Sequence, residues 1–550
     1  MSKNSFSKSF LSDPIVVICV LSLILNVCGM WWGLPSKGGW AMDEIPPYKV
    51  WDGIDVRFSQ GWHDKYPPLH YYLLSLTYAP VYVLSKLKLL DFYDLKVYGF
   101  MYFVNRFVSV LMGVGSVYLV YQCGREISSK SSALFAALSF ALLPTTLYYS
   151  KIVNPDVPYV FWFCLSLWFY IKILKTHRLR DYLGFAIAAT VSVCTKDQAY
   201  GLYVLTTLFL LFDLYRHQKQ SRSYYSPISL ILDRRIYLPM VTGLGLFVVF
   251  QNLLFNWSGF LKHLNYLTGT GSYNSGDLLS RPQHNIIEHF RLLDRTLSDL
   301  TFSLGIPILI LVALGLSIAI LKFQKIPKYK IHLFLLVPVA SYYITFLSVI
   351  IYSRDRFLLP ICAVLSLFAG EACYRLLQLP KKRKLIKTII CLIFTYSFFY
   401  GSSVNTLMIQ DSRYAAEHWM NESFPLNTSV MGIGTTRFLP RSEVLKFGEM
   451  PILKDVEQVL NEQPEYIVTT SLFNENLFLH ETPKKHLFVR LNREQLDYKK
   501  VFQYQSQPLW NLLHIEPFVA IADLRYATGN FNKINPEVTI FRRSPPRASP

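Results

Sequence analysis

Two clusters of charged residues near the N-terminus combine side chains that can do chemistry. Asp43 and Glu44 are adjacent, and His63, Asp64 and Lys65 follow later in the same polar segment. A carboxylate can take a proton from an acceptor hydroxyl or bind a divalent cation through hard oxygen ligands. An adjacent acid pair alone is also typical of a solvated loop, but the second cluster favours a functional site.

Basic residues elsewhere in the chain have the chemistry to bind a phosphate group. Arg354 and Arg356 flank Asp355, and Lys196 precedes another acid. The planar fork of Arg can donate two parallel hydrogen bonds to a phosphate, and Lys supplies a point charge. The alternative is that both arginines pair with Asp355 or with lipid headgroups. Asp156, which has prolines at 155 and 158, is either a further site acid or a residue that begins a helix.

Membrane helices must position these residues. The chain has 550 residues, of which 52% are hydrophobic and 17% charged, with a mean hydropathy of +0.27. Soluble proteins have roughly a quarter charged residues, so the composition excludes a wholly soluble or disordered chain and predicts a polytopic all-α membrane protein. Apolar stretches that fit a bilayer lie at 14–33, 66–86, 101–121, 131–148, 155–171, 181–195, 198–215, 236–256, 300–321, 331–351, 357–378 and 387–404.

Four short connections carry nearly all of the net charge of +19: 172–180, 216–235, 322–330 and 380–387. Lys and Arg in short loops mark the cytoplasmic side. The segments 34–65, 195–198, 257–299 and 352–356 are therefore expected outside, and the candidate residues with them. The basic charge does not indicate nucleic-acid binding, because the charges lie between apolar helices and not on one face of a folded domain.

Two adjacent segments conflict with this topology. If 101–121 and 131–148 both crossed the membrane, 149–154 would face inward, yet 172–180 must also be inside after a single helix. One of the two is therefore expected to be half-length or re-entrant; the alternative is a further short segment that the hydropathy pattern hides. The crossings then total about 11 or 13, in either case an odd number, so the C-terminus is expected outside a plasma (inner) membrane.

The C-terminal part has a different composition. Short strands are predicted at 466–470 and 539–541, and helices are predicted among them at 412–421 and 453–461. We expect 405–545 to be a small extracytoplasmic α/β domain and 546–550 to be a disordered tail. Tryptophans 31, 32, 40, 51 and 62 predict an interfacial aromatic belt, and the triplet Asn256-Trp257-Ser258 is an exposed candidate glycosylation acceptor.

The first outer loop resembles the GT-C glycosyltransferases, in particular the protein O-mannosyltransferase and aminoarabinose-transferase-like group. The resemblance rests on Met42-Asp43-Glu44 after the first helix and on Lys65-Tyr66-Pro67-Pro68-Leu69-His70-Tyr71-Tyr72 at the second. It extends over about residues 14–410. Weaker matches are Asn105-Arg106-Phe107, Asn154-Pro155-Asp156-Val157-Pro158, Thr195-Lys196-Asp197-Gln198 and Arg354-Asp355-Arg356-Phe357-Leu358-Leu359-Pro360.

This resemblance implies a GT-C transmembrane glycosyltransferase module over 1–404, with its catalytic loop at 34–65. Such enzymes move a sugar from a polyprenyl-phosphate-linked donor to a lipid, glycan or protein acceptor on the outer side of the bilayer. It implies that Asp43 is the catalytic base of an inverting hexosyl or pentosyl transfer and that Glu44 is a supporting acid. The donor contacts would be Lys65, Lys196, Arg354 and Arg356, and a divalent cation (Mg, Mn or Zn) would be held by Asp64, Asp156 and His63.

Two other classes of protein have many helices and basic inner loops. A transporter or lipid flippase is expected to show internal repeats and polar, broken helices near the midplane of the membrane. The sequence has no evident repeat, and its distinctive polar residues lie in outer loops. A catalytically silent relative with a binding C-terminal domain is the third alternative. Arg106 lies inside a predicted membrane helix, so we expect it to face the bundle and to have a partner.

Overall fold

The computed structural model describes residues 13–41, 43–221, 227–268, 284–326, 328–473, 483–507 and 531–544. Met42, Arg222 and the predicted tail 546–550 lie outside the described residues. The described part is mostly helical, with one sheet near the C-terminus. Its first helices are α1 (Pro14–Val27), α2 (Pro47–Asp55), α3 (Leu69–Lys86), α4 (Leu95–Ile127), α5 (Lys130–Ala141), α6 (Pro144–Tyr149), α7 (Asp156–Thr176), α8 (Leu179–Thr195) and α9 (Tyr200–Ser221).

The chain continues through further helices, most of them apolar. Seven spans of the described part are long and apolar enough to cross a membrane, and the protein is a multi-pass membrane protein. The predicted spans near α1, α3, α8 and residues 234–250 are helices that are shorter or less apolar than these seven. The later helices are α10 (Pro227–Ile231), α11 (Arg234–Phe250), α12 (Trp257–Thr268), α13 (Ile286–Lys322), α14 (Lys328–Phe334), α15 (Leu336–Tyr342, continued by a π-turn to Ile350), α16 (Leu359–Leu377) and α17 (Arg383–Ile409).

The conflict between the segments 101–121 and 131–148 has a structural answer. Helix α4 has 33 residues, whereas the second segment is broken at Leu142–Leu143 into α5, of 12 residues, and the short α6. A helix of that length is about 18 Å long, well below the ~30 Å hydrocarbon core. The expectation that one of the two segments is half-length is confirmed, and it is the second.

Helix α16 lies at the centre of the helical bundle. Its residues 359–373 are all buried, and it packs against α5 on one side and α13 on the other. The one acid of this stretch, Glu371, accepts hydrogen bonds from Arg375 one turn later and from the Tyr329 hydroxyl, each at 2.9 Å. A buried charge is tolerated here because it is paired and hydrogen-bonded.

The C-terminal part forms a five-stranded mixed sheet with helices. The order is β2-β1-β3-β5-β4; β1, β2 and β3 are parallel, and β5 is antiparallel to β3 and β4. Both predicted strands are present, but the helix predicted from 453 begins at Val456, because Leu453 pairs with Ile433 in the sheet. The elements are α18 (Ser412–Ser423), β1 (Val430–Ile433), β2 (Ile452–Leu453), α19 (Val456–Glu462), β3 (Tyr466–Thr470), α20 (Pro483–Asn492), β4 (Tyr498–Tyr504) and β5 (Val538–Arg543).

The C-terminal domain packs directly on the first polar loop. The indole of Trp32 donates to Asp411 at 2.9 Å, and that of Trp40 donates to the Leu439 carbonyl at 3.1 Å. Arg413 lies 4.0 Å from the centre of the Trp40 ring. Trp32 and Trp40 are each only 1% exposed, so the aromatic-belt prediction is wrong for them: their N–H groups and rings are used to dock a domain.

Candidate active site

Glu44 is the buried anchor of the first loop. Its carboxylate accepts from Arg106 Nε at 2.6 Å and Nη2 at 2.8 Å, and from the backbone N–H of Val153 at 3.0 Å. The remaining guanidinium nitrogen donates to the carbonyls of Met30 and Trp32, each at 2.7 Å. The side chains of Glu44 and Arg106 are both 0% exposed. The expectation that Arg106 faces the bundle with a partner is confirmed, and Glu44 is enclosed away from any ligand.

Asp43 lies on the open side of this anchor, between two cations. Its carboxylate is 3.4 Å from Lys65 Nζ and hydrogen-bonded to Arg356. The side chains of Asp43, Lys65 and Arg356 are 25%, 30% and 21% exposed. Arg356 belongs to the 3₁₀ turn that leads into α16. The fold therefore brings together a loop acid, the lysine that precedes α3 and an arginine far along the chain.

A second ion pair lies deeper, beside the first. Asp156 begins α7, where the helix dipole favours an acid, and its carboxylate pairs with Lys196. The second carboxylate oxygen of Asp156 has no hydrogen-bond partner in the part of the chain that the structure describes. Burial lowers the pKa of Lys196 to about 8, although the charge of Asp156 opposes that shift.

Tyr66 lies between the two ion pairs. Its ring centre is 4.9 Å from Lys65 Nζ and 5.4 Å from Lys196 Nζ, and the residue is 8% exposed. Burial, and then the charge of Asp43, raises the pKa of Tyr66 well above its ordinary value, so it is a neutral phenol. The three cations Lys65, Arg356 and Lys196 outnumber the two acids with which they pair, Asp43 and Asp156. This excess of positive charge favours a bound anion such as a phosphate.

Arg354 and Arg356 have the same predicted role, but they have different partners in the structure. Arg354 donates to the Tyr352 hydroxyl and lies 5.2 Å from the centre of that ring. Neither arginine forms a salt bridge with Asp355 in the described ranges. Arg356 is therefore the one of the pair that reaches the candidate site.

The residues predicted to hold a metal do not fit one. The carboxylate oxygens of Asp64 accept from the next backbone N–H and from the Tyr71 hydroxyl, each at 2.7 Å, and Lys49 Nζ is 3.8 Å away. His63 Nδ1 faces a carbonyl of its own loop at 3.1 Å, and Asp156 is paired with a lysine. No three His, Cys, Asp or Glu side chains converge on a metal-sized site within the described residues.

Two contacts from the C-terminal domain have no signal in the sequence. Phe531 is 0% exposed and packs on Tyr148 and Phe302, with ring centres 5.1 and 4.6 Å away. Two residues later, Lys533 is within electrostatic reach of Asp43, and its burial lowers its pKa to about 8. The domain thus adds a cation to the edge of the site.

The contacts of Asn256 also have no signal in the sequence. It is 6% exposed; its amide accepts from the Gly61 N–H at 2.8 Å and donates to the Trp62 carbonyl at 2.7 Å. The prediction of an exposed glycosylation acceptor at Asn256 is therefore wrong, because both ends of the amide bind the first outer loop.

Comparison with known proteins supports the resemblance stated above. Residues 94–232 match the family model described as dolichyl-phosphate-mannose-protein mannosyltransferase. The matched segment runs from α4 to α10 and includes Arg106, Asp156 and Lys196. The predicted resemblance to the protein O-mannosyltransferase group is confirmed over this segment. No curated protein matches the chain significantly.

Several solved structures are similar to the chain at low identity. An Archaeoglobus fulgidus oligosaccharyltransferase in complex with Zn and sulfate is 12% identical, with a TM-score of 0.48 over 96% of this chain and 88% of that one. ArnT from Cupriavidus metallidurans in the apo state is 10% identical, with a TM-score of 0.48 over 96% and 97% of the two chains. The S. cerevisiae protein O-mannosyltransferase Pmt1-Pmt2 complex bound to the sugar donor is 17% identical, with a TM-score of 0.33 over 45% and 34%.

Proposed function

We propose that this protein is a membrane glycosyltransferase that moves a hexosyl or pentosyl group from a polyprenyl-phosphate-linked donor to a lipid, glycan or protein acceptor. The observation that carries the proposal is the partly exposed Asp43 held between Lys65 and Arg356, beside the ends of membrane helices. The family match over residues 94–232 supports the class of reaction. The reaction takes place on the extracytoplasmic face of an inner membrane; the basic loops, which are expected on the cytoplasmic side, support this location.

The cations of the site bind the phosphate of the donor. Phosphate oxygens replace the Asp43 carboxylate at Lys65 and Arg356, both of which are partly exposed and within reach of a ligand. Lys196, behind Tyr66, adds positive charge at the inner end. These preorganised cations stabilise the charge that develops on the departing polyprenyl phosphate.

Asp43, released from its cations by the phosphate, takes the proton of the acceptor hydroxyl. The acceptor oxygen forms a bond to the anomeric carbon, and the bond from that carbon to the phosphate oxygen breaks, leaving its electron pair on the phosphate. Attack opposite the leaving group inverts the anomeric configuration. Asp156 and Glu44 are unsuited to this role, since both are 0% exposed at the side chain and bound to a cation.

The proposal is tested with purified protein and a panel of polyprenyl-phosphate-linked sugars. Mass spectrometry should detect free polyprenyl phosphate and a glycosylated acceptor with at least one donor, and a deletion strain should accumulate that donor. A transporter or flippase would instead move the donor across a vesicle with its sugar–phosphate bond intact. Donor movement without cleavage, unaffected by Asp43→Asn, would favour that class.

Arg356→Gln is expected to weaken donor use far more than Arg354→Gln does. A hydrogen bond to a charged group is worth about 1.5–3 kcal/mol, so loss of Arg356 should raise the donor KM by roughly ten- to a hundredfold. Arg354 binds Tyr352 and is the matched control, expected to stay within about threefold of the parent protein. Equal donor KM values in the two variants would remove Arg356 from the phosphate site.

A cytoplasm-specific reporter fused after Ser544, just beyond β5, is expected to be silent. The four basic loops and the odd number of crossings place the sheet outside. The same reporter fused after Thr176, in the first basic loop, is the positive control and should be active. Activity of the Ser544 fusion would place the domain, and Asp43 with it, on the cytoplasmic side.

A further inference from the structure

Three polar side chains near α12 bind the backbone of the first outer loop. Asn252 Nδ2 donates to the Phe58 carbonyl at 2.8 Å, and Asn256 binds the loop with both ends of its amide. One ring nitrogen of His263 lies 2.8 Å from the carbonyl of Asp64. The segment 252–263 thus holds the loop from residue 58 to the acid that precedes Lys65.

His263 also reaches a second segment with its other ring nitrogen. Nε2 lies 3.2 Å from both carboxylate oxygens of Asp197, and the residue is 5% exposed. A carbonyl and a carboxylate can only accept hydrogen bonds, so both ring nitrogens must donate, and the ring holds two protons. Burial acts to lower its pKa, but the hydrogen bond and charge of Asp197, with a smaller effect from Asp64, raise it overall.

The two groups that His263 joins are each next to a lysine of the candidate site. Asp64 is followed directly by Lys65, and Asp197 is preceded directly by Lys196. We propose that His263 is a positioning residue that fixes Lys65 and Lys196 at the separation a lipid-linked phosphate requires. The inference rests on the proposed function, since it assigns a role to His263 in donor binding at that same site.

The exposed side of α12 carries apolar side chains that are suited to a lipid surface. Trp257, Leu261, Leu264 and Leu267 are exposed and recur at helical spacing along one stripe. An amphipathic helix of this kind lies in the membrane interface with its apolar face in the lipid. The segment 252–263 is thus held at the bilayer surface, where a donor with a lipid tail reaches the site.

His263→Ala is expected to raise the donor KM about tenfold, with kcat within about threefold of the parent value, because one charge-assisted contact to each lysine-bearing segment is lost. His263→Gln should recover part of the loss, since its amide N–H₂ can still donate. His418→Ala, at a histidine side chain that is 73% exposed in the C-terminal domain, is the matched control and should leave both constants unchanged. A donor KM within twofold of the parent value in His263→Ala overturns the inference.

A double-mutant cycle with Asp197→Ala separates positioning from general loss of stability. If the two residues act through one contact, the double variant should have a donor KM no higher than the worse single variant. If the increases in donor KM of the two single variants multiply in the double variant, the proposed positioning role of His263 is overturned. If the parent protein transfers no sugar, the proposed function fails and this inference with it; an active parent with an unaffected His263→Ala variant overturns this inference alone.

Discussion

Asp43→Asn is expected to abolish most sugar transfer, by at least about a hundredfold, in a protein that still folds. Removal of a general base typically costs about 10²–10⁴-fold in rate, and an amide cannot accept the proton. Folding should survive because Asn is nearly the same size and because Lys65 and Arg356 are partly exposed and can be solvated. Release of polyprenyl phosphate by purified protein, at matched amounts of monodisperse material, measures the effect.

The control for this variant is Asp52→Asn, an exposed acid of the same loop that lies on α2. It changes the charge of the loop by the same amount and should keep full activity. Transfer by Asp43→Asn at near the parent rate would end the proposed mechanism. The base would then have to be sought at Asp64, the acid before Lys65, whose side chain is 15% exposed.

Glu44→Gln is expected to act on stability and not on the chemical step. It leaves the Arg106 guanidinium buried with one neutral partner in place of a carboxylate, and breaking a buried ion pair costs about 3–5 kcal/mol. Thermal unfolding followed in detergent should show a large fall in midpoint, and much of the protein should be lost during purification. Material that survives should retain a kcat close to that of the parent protein.

Two results would change this assignment. A Glu44→Gln protein with unchanged stability and a hundredfold lower kcat would return Glu44 to the role of supporting acid. Arg106→Gln is the partner control: it removes the same ion pair and the bonds to Met30 and Trp32, so it should be at least as unstable.

That the chain is a multi-pass membrane protein could be predicted from sequence, because membrane insertion depends on local properties. A stretch of about 20 apolar residues is favoured in a bilayer whatever its neighbours do, and basic loops orient the helices one at a time. The two charged clusters at 43–44 and 63–65 both adjoin predicted membrane helices at the same surface, which allows them to meet. The structure joins them through Asp43 and Lys65.

The roles of individual residues were decided by tertiary packing. Asp43 and Glu44 are adjacent and chemically alike, yet only the fold directs one to Arg106 inside the bundle and the other to an open site. Arg354 and Arg356 likewise have different partners, since Arg354 contacts Tyr352 and Arg356 pairs with Asp43. Asn256 and His263 match no catalytic pattern, because their function is to bind backbone groups of a loop about 200 residues earlier, and backbone groups are the same at every position. Spacing along the chain determines which membrane surface a residue reaches, whereas its partner there depends on the direction of the side chain, which the packing of distant helices sets.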